Sequence, residues 1–146
     1  AQAGPMLRQM EQLGLGDVKY FGGDALCTPK LPELAGKSPA VKNVTCATGG
    51  ASVDKMQGGA DWKKRYGAKA PGQCRVYSAY AYDAAVVLGD ARRRANSVDP
   101  LVFGPFLSKT QYKGVTANIS FIAKGELAAP AVTLYTYKDG TRVPLN

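Results

Sequence analysis

The first 48 residues alternate between two periodicities, and that alternation restricts the fold more than any other feature. "PMLRQMEQLGLG" places apolar side chains at Met6, Leu7, Met10, Leu13 and Leu15, the spacing of one helix face. Pro5 suits the first turn of that helix, and Gly14 or Gly16 suits its stop. "VKYFG" (18–22) then reads as a short strand. A short helix is predicted over 29–36, with Thr28 as cap and Pro29 behind it. "NVTCAT" (43–48) is a second strand. Helix, strand, helix, strand is the rhythm of a parallel sheet with helices on its faces, so the chain is of the α/β class.

"GGASVDKMQGG" (49–59) breaks the rhythm and reads as a loop or linker. "ADWKKRYGA" (60–68) is a compact amphipathic helix with Trp62 and Tyr66 four apart on one face. The longest helix is predicted over 77–97. Its packing face is read as Ala81, Ala84, Ala85, Leu88 and Ala91, and Arg92, Arg93 and Arg94 fall in its last turns, where cations suit the dipole. A helix over 99–110 is predicted to be interrupted at Gly104-Pro105. Val115, Ala117, Ile119 and Phe121 alternate as in a strand, and a turn follows at Lys124-Gly125. At the end, Val132, Leu134 and Thr136 alternate with Thr133, Tyr135 and Tyr137, and Asp139-Gly140 turns the chain back into a hairpin. No internal repeat is present.

The length of 146 residues fits one domain or pieces of two, and 45% hydrophobic residues supply a core. The net charge of +8 comes from 19 basic and 11 acidic residues, but the bases are scattered. No basic stripe interleaved with aromatics appears, which argues against a nucleic-acid partner. Histidine is absent, which removes histidine-based triads and most zinc sites. The three cysteines, Cys27, Cys46 and Cys74, form no CxxC pair, so neither a metal nor a cofactor is expected. A cysteine nucleophile would have no histidine to activate it, so an enzyme is not expected. No apolar run is long enough for a membrane helix, and no secretory signal is visible. The opening "AQAGPMLRQM" reads as something cut from a longer protein or processed.

Five segments in order resemble one family. They are "GPMLRQMEQLGL", "YFGGDALCTP", "YSAYAYDAAVVLGDARRRANSVDP", "YKGVTANISF" and "GELAAPAVTLYTYKDGTRVPL". Together they look like the C-terminal part of the branched-chain amino-acid-binding proteins of bacterial ABC importers, within the two-lobed periplasmic binding proteins. The resemblance implies an incomplete type I periplasmic-binding-protein fold: pieces of two parallel-sheet lobes with flanking helices and a C-terminal hairpin. It assigns residues 1–51 to part of the second lobe, 52–128 to part of the first lobe after a hinge crossing, and 129–146 to a return to the second lobe. It also implies a periplasmic location, a small amino-acid ligand held between closing lobes, and an inner-membrane ABC permease as partner. The groups that hold the ligand's carboxylate belong, by this resemblance, to a portion outside these residues. Missing strands would leave open sheet edges and apolar faces, so a homodimer of the chain is expected. A self-associating structural module without ligand is the alternative function.

The same resemblance singles out site residues. An acid after the strand and Gly pair, Asp24, would meet the ligand's ammonium group; read alone, it is a turn Asp capping the next helix. Ala25 would offer its backbone N–H nearby. Tyr77 would lie against the ligand's side chain, or else pack as an ordinary helix tyrosine. In a periplasmic protein Cys27 and Cys46 would form a disulfide pinning the Asp24 loop, against two buried free thiols as the alternative. Cys74 is then the odd one, buried or able to bridge chains.

Overall fold

A computed structural model describes residues 2–75 and 77–145. The chain divides into two compact units. One runs through Gly50 and resumes at Ala131; the other is Ala51–Pro130.

The first unit holds α1 (Ala3–Gln12), β1 (Tyr20–Gly22), α2 (Leu31–Leu34), β2 (Val44–Gly49) and the strands β5 (Val132–Lys138) and β6 (Thr141–Leu145). Its sheet has the order β1-β2-β5-β6. β1 and β2 are parallel, with Gly22 opposite Cys46. β2 and β5 are antiparallel, with Cys46 opposite Tyr135. The last two strands form the expected hairpin. Asp139 and Gly140 turn it with φ of 48° and 72°, the backbone a tight two-residue turn demands. The α/β class expected from the sequence holds, although parallel pairing among the described residues is confined to β1 and β2. Pro144 is tolerated because β6 is an edge strand.

One face of this sheet carries the core. Leu7 of α1 and Leu31 of α2 pack with Leu26, Val41, Val44, Cys46, Tyr135 and Tyr137. The two tyrosines point inward because register places Tyr135 beside Cys46. The other phase of β5 is left outside, with Val132 68% exposed. Phe21 of β1 is 66% exposed, and Leu134 and Leu145 are exposed as well.

The second unit comprises α3 (Gly59–Lys69), α4 (Ser78–Ala95), α5 (Pro100–Ser108) and a two-stranded antiparallel ribbon of β3 (Gln111–Lys113) and β4 (Asn118–Ser120). Trp62 is buried and stacks on Tyr66 with centroids 4.7 Å apart, as the four-residue spacing predicts. Tyr80 Oη accepts the Ala51 N–H at 2.6 Å. Asn96 ends α4 in the left-handed conformation, φ 48°.

Three expectations are corrected here. The buried face of α4 is Ala79, Asp83, Val87 and Ala91, whereas Ala81, Ala84, Ala85 and Leu88 are exposed. The cause is Asp83, a charged residue that a reading by apolarity discards. Its carboxylate is buried because it accepts the Val115 N–H at 2.9 Å, the Thr116 N–H at 2.7 Å and the Thr116 hydroxyl at 2.6 Å. Those bonds also explain why 115–121 is not one strand. The amides at 115 and 116 turn toward Asp83, and the Gly114 N–H closes the turn onto the Ala117 carbonyl at 2.9 Å. Finally, α5 runs through Gly104-Pro105 without a break. Asp99 caps its start by accepting the Leu101 N–H, and Pro105 lies near enough to that start to cost only one ladder bond. Arg94 ties α4 to α5, donating to the Phe106 carbonyl and to Thr110.

Candidate functional site

β1 delivers the chain to the carboxyl end of the parallel pair, the edge where α/β sheets present ligand loops. Space is tight at Gly22: a Cβ there would push the terminal methyl of the Leu26 side chain aside. Gly23 has an ordinary extended backbone and open space around its Cα. Asp24–Leu26 then form one 3-10 turn. The Leu26 N–H reaches the Gly23 carbonyl at 3.1 Å, and the Cys27 N–H reaches the Asp24 carbonyl at 2.9 Å. Asp24 and Ala25 are exposed at the crest, while Leu26 and Cys27 are buried beneath them.

The underside of this turn is held firmly. Cys27 is disulfide-bonded to Cys46 within β2, with Cα atoms 5.5 Å apart. The expected pairing is therefore present, with Cys46 inside the strand. Tyr137 of β5 places its hydroxyl 2.9 Å from the Leu26 carbonyl and 2.8 Å from the Thr28 carbonyl. A phenol has one proton to donate, so the two carbonyls share it. Arg142 of β6 donates to the Cys27 carbonyl between them. Its guanidinium lies 4.4 Å from the centroid of the Tyr135 ring, a cation–π contact that fixes the side chain. Burial raises the Tyr137 phenol above its ordinary pKa, with the Arg142 charge opposing in part.

Asp24, Ala25, Cys27 and Cys46 thus form one cluster. Tyr77 belongs to the second unit, where it is the N-cap residue of α4 and 46% exposed. Its carbonyl accepts the Ala81 N–H at 2.9 Å. Cys74 is a half-buried free thiol. An open cleft of about 570 Å³ lies among Pro29, Pro32, Lys37, Pro39 and Tyr137, and neither Asp24 nor Ala25 lines it. Among the described residues no three His, Cys, Asp or Glu side chains are grouped to hold a metal, and no helix is long and apolar enough to cross a membrane. Tyr137 and Arg142 were not foreseen from the sequence. Their partners are main-chain carbonyls, which leave no trace in side-chain pattern.

No protein-family model and no curated relative matches the chain. Solved structures do. The leucine binding protein LivK of Thermotoga maritima superposes over 99% of this chain with a TM-score of 0.79 and 25% identity. The chain is similar to a C-terminal portion of the branched-chain amino-acid-binding proteins of ABC transporters. The resemblance drawn from the five segments is therefore borne out by the fold. The substrate-binding protein LivJ of Streptococcus pneumoniae, solved with isoleucine, matches 98% of the chain at TM-score 0.70 and 19% identity. A solute binding protein of R. palustris, solved with benzoate, matches 98% at TM-score 0.63 and 16% identity. The chain spans 41%, 42% and 39% of the lengths of these three proteins. The three are, by name, a leucine binding protein, a transporter substrate-binding protein and a solute binding protein.

Proposed function

We propose that this chain is part of the solute-binding component of an ABC importer, acting without catalysis on a branched-chain or similar aliphatic amino acid. The observation that carries this reading is the match over 99% of the chain to a leucine binding protein at TM-score 0.79. In this reading residues 1–51 and 129–146 serve the second lobe and 52–128 the first. The complete protein captures its ligand by hinge closure outside the cytoplasmic membrane and presents it to an inner-membrane permease. Asp24 pairs with the ligand's ammonium group, because a cation taken out of water needs a counter-charge. The Ala25 N–H lies beside it, and Tyr77 offers a ring to the ligand's side chain. The carboxylate is held by the portion of the protein outside these residues.

Calorimetry on the full-length protein with leucine, isoleucine and valine tests this. Binding of at least one is expected, and Asp24→Asn should weaken it by about 30-fold to several thousand-fold, the effect of stripping one partner from a buried pair. No binding of any of the three, or of another small carboxylate such as benzoate, would sink the reading. The isolated 146-residue chain is expected to bind weakly or not at all, and tight leucine binding to it would contradict the division of the site.

One observation favours a second reading, a self-associating module without ligand. Phe21, Val132, Leu134 and Leu145 are exposed on the sheet of the first unit. Such apolar surface is usually covered by another chain or segment. Light scattering on the isolated chain distinguishes the two: a stable monomer argues strongly against the module.

A further inference from the structure

We propose that Tyr137 and Arg142, on the C-terminal hairpin, are positioning residues that hold the Asp24 turn in its ligand-ready shape. The proposal rests on the reading of Asp24 as the ammonium-pairing residue. Three consecutive carbonyls, those of Leu26, Cys27 and Thr28, accept hydrogen bonds from just these two side chains. The turn's own N–H groups are already spent locally, with Leu26, Cys27 and Thr28 donating to Gly23, Asp24 and Leu26. The Leu26 and Thr28 carbonyls also take the Thr28 and Leu31 N–H groups, but those bonds are local; Tyr137 and Arg142 supply the bonds that tie these carbonyls to the hairpin. The Cys27–Cys46 bond fixes one point of the turn but leaves its rotation about that point open. Two further grips, on either side of Cys27 and on Cys27 itself, remove that freedom.

The grip is itself braced. Arg142 stacks on Tyr135, and Tyr135 stands opposite Cys46 in the ladder. Turn, disulfide strand and hairpin thus form one closed ring of contacts, joined across 109 to 115 residues of sequence. A binding residue held in place before the ligand arrives saves the ordering cost at binding, and loosening its support restores that cost. Tyr137 and Arg142 touch no ligand in this proposal; they act through the backbone beneath Asp24.

The test uses the full-length protein, L-leucine as probe (isoleucine and valine where leucine does not bind), and the variants Tyr137→Phe, Arg142→Ala, Arg142→Lys and Asp24→Asn. Tyr137→Phe and Arg142→Ala should each weaken binding by about 5- to 30-fold, the equivalent of one or two lost hydrogen bonds. Amide exchange at residues 24–28 should quicken in both, with the rest of the sheet unchanged. Arg142→Lys should recover part of the affinity, since an ammonium still reaches a carbonyl but loses the guanidinium stack. Affinities within twofold of wild type in both variants, with Asp24→Asn impaired, would overturn the positioning role and leave the site reading standing. Wild-type affinity in Asp24→Asn would overturn both. If no ligand binds at all, the functional reading fails by itself, and unchanged exchange at 24–28 in Tyr137→Phe overturns the grip.

Discussion

Asp83 and Thr116 meet in the interior of the second unit, where one carboxylate oxygen accepts both the amide of Thr116 at 2.7 Å and its hydroxyl at 2.6 Å. The other oxygen takes the Val115 N–H. Three donors converge on two oxygens, and a charge-assisted set of this kind is stronger than neutral bonds. Asp83→Asn replaces one acceptor with an NH₂ that faces donors. It should destabilise the second unit by about 2–3 kcal/mol, the range for lost hydrogen bonds to a charged group. Urea unfolding followed by Trp62 fluorescence measures it, since Trp62 is the chain's one tryptophan and is buried in that unit. A shift within about 0.5 kcal/mol, the size of an ordinary surface substitution, would remove the contact from any structural account.

Gly114 leads into the same turn, and a methyl group there would collide with the Asp83 carboxylate. Gly114→Ala should therefore cost about 1–3 kcal/mol, the usual penalty of overpacking. The collision partner is a single side chain, so the loss should be non-additive with Asp83→Ala. Full additivity in a double-mutant cycle would show that the cost arises elsewhere, in the backbone.

What was legible in the sequence was local. Trp62 and Tyr66 sit four apart and stack; Asp139-Gly140 turns a hairpin; the strand ending at Gly22 releases into the Asp24 turn. Each depends on neighbours within a few residues, where spacing and turn chemistry decide the outcome. The misread features depend on partners far along the chain. The inward face of α4 is set by Asp83, whose partners lie 32 and 33 residues away. The footing of the Asp24 turn is set by Tyr137 and Arg142, more than a hundred residues on. A charged residue buried for its hydrogen bonds looks like a surface residue in a sequence. A tyrosine or arginine that serves backbone carbonyls looks like any other strand residue.

The disulfide closes a loop of 19 residues between Cys27 and Cys46. Removing a link of that size should lower stability by about 3 kcal/mol through the greater freedom of the unfolded chain. Chemical unfolding with and without reductant measures it, with Cys27→Ser/Cys46→Ser as a second route. The loss should fall on the first unit, so Trp62, in the second, should report less of it than far-ultraviolet dichroism. A variant as stable as the wild type would mean that the reduced, unfolded chain is already constrained.

Tyr137 carries a pH dependence whose sign follows from its burial. Its phenol titrates above the ordinary tyrosine value of about 10, with burial as the main cause and Arg142 opposing. The folded chain therefore keeps a proton that the unfolded chain gives up. Its contribution to stability is complete below about pH 10 and is lost as pH rises toward and through the raised folded value. Tyr112 is shifted the same way, by burial first and then by Asp83, so the alkaline slope has two sources. Tyr137→Phe should cost about 1–3 kcal/mol at neutral pH, because the Leu26 and Thr28 carbonyls lose their shared donor. It should also shallow the fall in stability above pH 10 without abolishing it, leaving the part due to Tyr112. Unfolding curves across pH 8 to 11 (roughly the span below and above an ordinary tyrosine) test both statements. An alkaline slope identical in wild type and Tyr137→Phe would place the titrating phenols elsewhere among the eight tyrosines.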